Sequence, residues 1–123
     1  MATGTGFAPL KFMIEYLLFA EKTQKNIVLY LGVNNFEDIF MKEYLDKMQT
    51  AYPNFKYKIA LANKSDKWNG PVGFITNVLS EDFPKAGNCS VYLCGNKFMI
   101  RDATKILVDN GCSDDKIYFE KYS

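Results

Sequence analysis

No histidine occurs anywhere in the 123 residues. That absence removes imidazole acid–base catalysis, Ser-His-Asp triads and His-ligated metal sites together. Cysteine is scarce too. Cys89, Cys94 and Cys112 are odd in number and form no CxxC pair, so they read as free thiols in a reducing compartment, and no zinc or iron–sulfur site is expected. Nor does one sign of charge prevail. Fifteen Lys and Arg stand against fourteen Asp and Glu, which leaves no field to attract nucleic acid or an anionic membrane. The longest apolar run, near Met13 to Ala20, is interrupted by Glu15 and is too short to cross a bilayer. The N-terminus shows no basic stretch followed by an apolar one, so no secretory signal is read. A cytoplasmic protein with neither nucleic-acid nor membrane partners is the expectation.

What is present is an ordinary globular balance, 48% hydrophobic and 24% charged, with ten Phe, eight Tyr and one Trp. The length suits one domain. Asn26 to Val33 is a continuous apolar run, as in a strand buried on both faces. Phe55 to Ala62, Cys89 to Cys94 and Lys116 to Phe119 read as further strands. Between them lie helical patterns: Pro9 to about Lys22, Glu37 to about Ala51, a shorter one around Gly73 to Leu79, and Asn96 to Asn110. The second carries a stripe of Phe40, Met41, Tyr44, Leu45 and Met48. The last carries Met99, Ala103, Ile106 and Leu107, with Gly111 where a helix-ending glycine belongs. Strands alternating with helices predict an α/β fold, a doubly wound parallel sheet with helices on both faces and ligands at the C-terminal edge of the strands.

The first helix begins almost at once after Met1-Ala2-Thr3-Gly4-Thr5-Gly6. Very few residues remain for the strand that feeds it, and in a doubly wound sheet that strand is central. The first strand is therefore expected to be truncated. Either Met1 lies inside a longer chain or the rest of the strand comes from elsewhere.

Three segments carry chemistry. Gly4-Thr5-Gly6-Phe7-Ala8-Pro9 precedes a helix whose first turn holds the proline. Glycines there let a pyrophosphate approach the backbone, and the helix start offers free N–H groups. Tyr92-Leu93-Cys94-Gly95, with Met99-Ile100 beyond, ends a strand and opens a helix. A small soft side chain and a bare backbone at that point suit a flat ring, although a buried packing cysteine fits as well. The chain finishes on Phe119-Glu120-Lys121-Tyr122-Ser123, an aromatic and acidic tail able to fold back over the same crevice or to pack loosely.

Together the GTGxAP, YLCGxxxMI and FEKY segments resemble, from Met1 to Ser123, the NAD(P)H-binding domain of ferredoxin–NADP reductase-like flavoenzymes. Within that family the chain most resembles the reductase components of bacterial multicomponent oxygenases. Gly32-Val33-Asn34 is similar to the family's segment after the second strand. Trp68-Asn69-Gly70-Pro71-Val72-Gly73 is similar to its Trp-x-Gly-x-x-Gly stretch, and Gly73-Phe74-Ile75 resembles the flavin subunit of sodium-pumping NADH:quinone reductase.

The resemblance implies a five-stranded sheet in the order 3-2-1-4-5 and a single NAD(P)H-binding domain over residues 1–123, with the flavin-binding domain upstream or on a partner chain. It implies that Gly4, Thr5, Gly6 and Pro9 form the pyrophosphate and nicotinamide-ribose loop and that Cys94 and Gly95, with Met99 behind them, stand beside the nicotinamide ring. Cys94 and Glu120 are then the residues nearest the chemistry, with Phe119 and Tyr122 in the tail beside them. Asn34, Ser65 and Asp66 fall at the adenosine end. NADPH-specific relatives tend to place Ser-Arg where Ser65-Asp66 stand here, and the Asp66 carboxylate repels a 2′-phosphate, which favours NADH over NADPH. Lys64 and Lys67 oppose that reading. The loop after Gly95 usually carries prolines; Asn96 and Lys97 replace them. The implied activity is positioning of NADH for hydride transfer to FAD on another domain, with electrons passed to an iron–sulfur or oxygenase partner. Such transfer needs no protein acid or base, so the missing histidine is neutral. The competing reading is a non-catalytic dinucleotide-binding regulatory or scaffold subunit. A flavodoxin- or response-regulator-like domain fits less well, since no acidic cluster marks the strand ends.

Overall fold

The computed structural model describes residues 1–39, 41–82 and 89–121, with the backbone alone at Thr5. Five strands form one all-parallel sheet in the order β3-β2-β1-β4-β5: β1 Ala2–Thr3, β2 Ile27–Val33, β3 Phe55–Leu61, β4 Val91–Gly95 and β5 Ile117–Lys121. Four α-helices connect them: α1 Phe7–Glu15, α2 Lys42–Ala51, α3 Ile75–Asp82 and α4 Lys97–Asp109. The parallel sheet expected from the alternation of patterns, and the order implied by the family resemblance, are those found.

Two apolar clusters lie on opposite faces of the sheet. Phe7, Leu10, Ile14 and Leu18 descend from the first helical segment onto Leu29, Leu31 and Phe55, where Leu45 and Met48 of α2 join them. Ile75 and Leu79 of α3, with Met99, Ala103 and Leu107 of α4, close over Ala60 and Leu93 on the other face. Adjacent residues in β4 serve opposite layers, Leu93 one and Cys94 the other. A strand covered on both faces cannot alternate in polarity, which is why β2 reads as a continuous apolar run.

β1 has two residues and still joins the halves of the sheet. Ala2 lies opposite Leu31 on one side and Cys94 on the other. The ladder extends through Met1, whose amine donates to the Tyr92 carbonyl at 2.7 Å and whose carbonyl accepts from the Cys94 N–H at 3.0 Å.

Two helical expectations change in the structure. The first helix starts at Phe7, two residues before Pro9, and widens into a π-helical turn over Tyr16–Ala20, where the Glu21 N–H reaches the Tyr16 carbonyl at 3.0 Å. The segment expected to be helical from Glu37 is divided. A short 3-10 turn at Phe36–Asp38 is held by a reciprocal cap, Asp38 Oδ2 accepting from the Asn35 N–H at 3.0 Å, and Ile39 then turns extended, so α2 begins only at Lys42. Asn35 and Asp38 satisfy each other's local groups and end that turn as they begin it. Phe40, expected on the apolar stripe, lies outside the described residues. No helix among the described residues is long and apolar enough to cross a membrane.

Candidate dinucleotide site

The C-terminal ends of β1 and β4 meet at the centre of the sheet edge. Gly4 turns the chain at φ +53° with no atom within 4 Å of where a Cβ would stand. It is a glycine for its backbone angle, and the space beside it is open. Gly6 is a glycine for the opposite reason: a Cβ there would lie 2.3 Å from the Cys94 carbonyl oxygen. Between them the backbone of Thr5 continues a 3-10 turn directly into α1, whose N-cap is Gly6. Pro9, half-buried, is its third residue, where its missing N–H has no helical partner to lose.

Gly95 is packed from both sides. A Cβ there would stand 2.2 Å from Thr3 Oγ1 and 2.9 Å from Met99 Cε. Thr3, which sequence reasoning passed over, therefore sits in the middle of the edge between Gly95 and Gly32. Its place just before Gly4 in a central strand was the available signal. Met99 lies directly behind Gly95. Its side chain is buried in the α3–α4 core and supports Gly95 from beneath. Asn96 stands in place of the family's prolines and caps α4, its Oδ1 accepting from the Met99 N–H at 2.9 Å.

Cys94 is 5% exposed and its side chain belongs to the cluster under α1. Its backbone forms the wall against Gly6 while its sulfur lies below the edge. Burial pushes the thiol up, the Met1 amine pulls it down and Glu120 pushes it up again. Glu120 is Cys94's partner in the β4–β5 register and is exposed, as is Phe119, over whose ring Lys121 Nζ sits at 5.3 Å. Tyr122 lies outside the described residues.

At the other half of the edge, the loops after β2 and β3 are tied together. The Ala62 and Asn63 N–H groups donate to the Val33 and Asn34 carbonyls at 2.9 Å, and Asn63 Nδ2 donates to Asn35 Oδ1 at 2.8 Å. Asn34 is exposed. Ser65 is half-buried and turns the next loop, accepting from the Lys67 N–H at its hydroxyl and from the Trp68 N–H at its carbonyl. Asp66 is exposed. Trp68 folds back onto Gly70, where a Cβ would meet its ring at 2.4 Å, and donates to the Pro71 carbonyl at 2.9 Å. A small cleft lined by Gly4, Phe7, Val33, Asp38 and Lys42 connects this half with the glycine loop; Asp38 and Lys42 were not foreseen there. Among the described residues no group of three or more Cys, Asp or Glu could hold a metal.

A parallel doubly wound sheet with an open left-handed glycine turn leading into a helix N-terminus at its switch point defines a dinucleotide-binding α/β domain. Residues 1–105 match the oxidoreductase NAD-binding domain family, and the chain belongs to that family. It is 32% identical to one component of the Na(+)-translocating NADH-quinone reductase of Pseudomonas aeruginosa, over 97% of this chain and 31% of that protein. The chain thus spans about a third of the length of such curated relatives. Among solved structures, the Amycolatopsis cytochrome P450 reductase GcoB superposes with a TM-score of 0.88 at 28% identity, over 98% of this chain and 35% of that one. The ferredoxin reductase in carbazole 1,9a-dioxygenase shares the fold, at TM-score 0.82 and 21% identity, over 99% of this chain and 36% of that one.

Proposed function

We propose that this chain is the nicotinamide-binding module of a flavin-dependent reductase and presents NADH to a flavin carried on a separate domain. The observation that carries the reading is the meeting of Gly4, Gly6 and Gly95 at one sheet edge, each bare for its own physical reason. Gly4 leaves room beside free helix-start N–H groups for a pyrophosphate. Gly95, between Thr3 and Met99, keeps the next stretch of backbone flat enough for a ring to lie on it. The nicotinamide supplies the hydride and the flavin accepts it. The protein's part is to bind, orient and exclude water. Thr3 and the Cys94 carbonyl fix the height of Gly95 and Gly6, so Cys94 acts through the backbone wall it forms. Glu120, beside Cys94 across the strands, places a carboxylate at the rim of the same edge. Phe119 continues the rim, while Asn34 and Ser65 shape the adenosine end. The likeness to a cytochrome P450 reductase favours an oxygenase-type electron acceptor downstream, with an iron–sulfur partner as the other candidate.

The adenosine end favours NADH. Asp66 is exposed on the loop after β3, and its carboxylate opposes a 2′-phosphate. Competitive titration of the full chain with NADH and NADPH, read by quenching of Trp68 fluorescence, is expected to show tighter binding of NADH. Asp66→Arg should narrow or reverse the preference. Equal affinity for the two in the unsubstituted chain would mean that Lys64 or Lys67 captures the phosphate. Binding of neither would remove the dinucleotide reading altogether.

A further inference from the structure

Two of the three thiols lie together at the end of the sheet away from the glycine loop. Cys112 follows the glycine that ends α4. Gly111 takes φ +95°, the Cys112 N–H donates to the Leu107 carbonyl at 2.9 Å, and the side chain is 4% exposed within the α3–α4 core. Cys89 stands two residues before β4 and packs, half-buried, against that same cluster. The register explains the meeting. β4 and β5 run parallel with Val91 opposite Ile117, so the segments that feed the two strands enter side by side at the N-terminal edge. Burial, and then Cys89 beside it, push the Cys112 thiol up, and its S–H donates to the Ser113 carbonyl at 3.7 Å. Cys94 belongs to the opposite face and takes no part.

We propose that Cys89 and Cys112 are a thiol–disulfide site, closing reversibly into an intrachain disulfide on exposure to a low-molecular-weight disulfide of the glutathione type. The more accessible sulfur reacts first. The Cys89 thiolate attacks one sulfur of the small disulfide and expels one small thiolate, leaving a mixed disulfide. The Cys112 thiolate then attacks the Cys89 sulfur, forms the protein S–S bond and expels the second small thiolate. The two protons lost by the protein thiols are taken up by the two expelled thiolates. The protein gives up two electrons and one small disulfide becomes two thiols. The closed ring spans residues 89–112 and contains β4, Gly95 and all of α4, so it constrains the unfolded chain, while the bond itself lies at the opposite end of β4 from the dinucleotide edge. This inference does not depend on the proposed function.

The test is incubation of the full chain with glutathione disulfide, followed by denaturing alkylation, intact mass and peptide mapping. The expected result is loss of two alkylatable thiols, a Cys89–Cys112 linked peptide, Cys94 alkylated, reversal by dithiothreitol, and a higher denaturant midpoint for the oxidised form. Cys112→Ser should trap a glutathione adduct on Cys89, and Cys89→Ser should abolish formation of an intrachain bond. A stable adduct on Cys89 in the unsubstituted chain would show that Cys112 is out of reach and overturn the proposal. So would three alkylated thiols after prolonged incubation, or a linkage to Cys94. If the buried Cys112 variant fails to fold, the half-exposed Cys89→Ser variant decides alone.

Discussion

Glycines at the sheet edge look interchangeable in the sequence and are not so in the structure. Gly4 is required for its left-handed φ, and a side chain would find empty space; Gly6 has a helical backbone but lies against the Cys94 carbonyl. Gly4→Ala is therefore expected to cost about 1–2 kcal/mol, the ordinary penalty of placing a Cβ in the left-handed region. Gly6→Ala must push α1 away from β4, since the atom it meets is backbone and cannot rotate aside, and should cost more than Gly4→Ala, roughly 2 kcal/mol or more. Urea unfolding of both variants decides the order. If Gly6→Ala is the milder change, α1 and β4 do not press on one another as described. The GTG pattern was legible as a glycine turn leading into a helix, but which glycine serves angle and which serves contact follows from where β4 ends. Cys94 shows the same limit. Its position at a strand end was readable, yet whether its sulfur faced a crevice or a core depended on α1 overlying that end of β4.

Among the secondary-structure elements, α4 was the most legible and explains why the others were less so. Its stripe, its cap and its stop are all local. Asn96 accepts from the Met99 N–H. At the far end the Cys112 and Gly111 N–H groups return to the Leu107 and Val108 carbonyls, closing the helix as the glycine predicted. Asn96→Ala is expected to lower stability by about 1 kcal/mol, measured as a shift in denaturant midpoint at unchanged slope. An unchanged midpoint would mean that the cap is replaced by water at no cost. The region running into α2 carried equally plausible helical signals from Glu37 through Met41 to Tyr44, but the Asn35–Asp38 cap closes on itself and ends one turn before α2 begins at Lys42. The π-helical turn after α1 has no sequence signature. There Phe19 reaches Tyr52 with ring centroids 5.6 Å apart, a contact set by where α2 ends.

For the whole molecule, the parallel α/β sheet was legible from the alternation of patterns and its order from the family resemblance, whereas the way a two-residue strand could hold the centre was not. The answer lies in Met1, whose amine serves as a ladder donor to Tyr92. That use has a pH signature. Burial lowers the Met1 amine from 8.0 to about 5, with Cys94 opposing in part. Between pH 8 and pH 5 the unfolded chain takes up a proton that the folded chain refuses, so stability rises with pH across that window and is lost as pH falls through it. The full displacement corresponds to on the order of 4 kcal/mol. Below that window the lowered carboxyls of Glu15, beside Tyr44, and Asp46, beside Lys42, act in the same direction. Above it the buried Cys94 and Cys112 thiols, both raised, and the Tyr30 phenol, pushed up by burial to about 12, resist ionising, so stability declines again in alkali. Thermal unfolding of the 123-residue chain should therefore show its highest midpoint near pH 8 and a fall of several degrees by pH 5. Acetylation of the Met1 amine removes the titrating group and keeps one N–H for the Tyr92 carbonyl, and it should flatten the slope between pH 8 and 5. A slope that survives acetylation would assign it to other groups, and a flat profile in the free-amine chain would mean that the amine is solvated and does not hold the central strand.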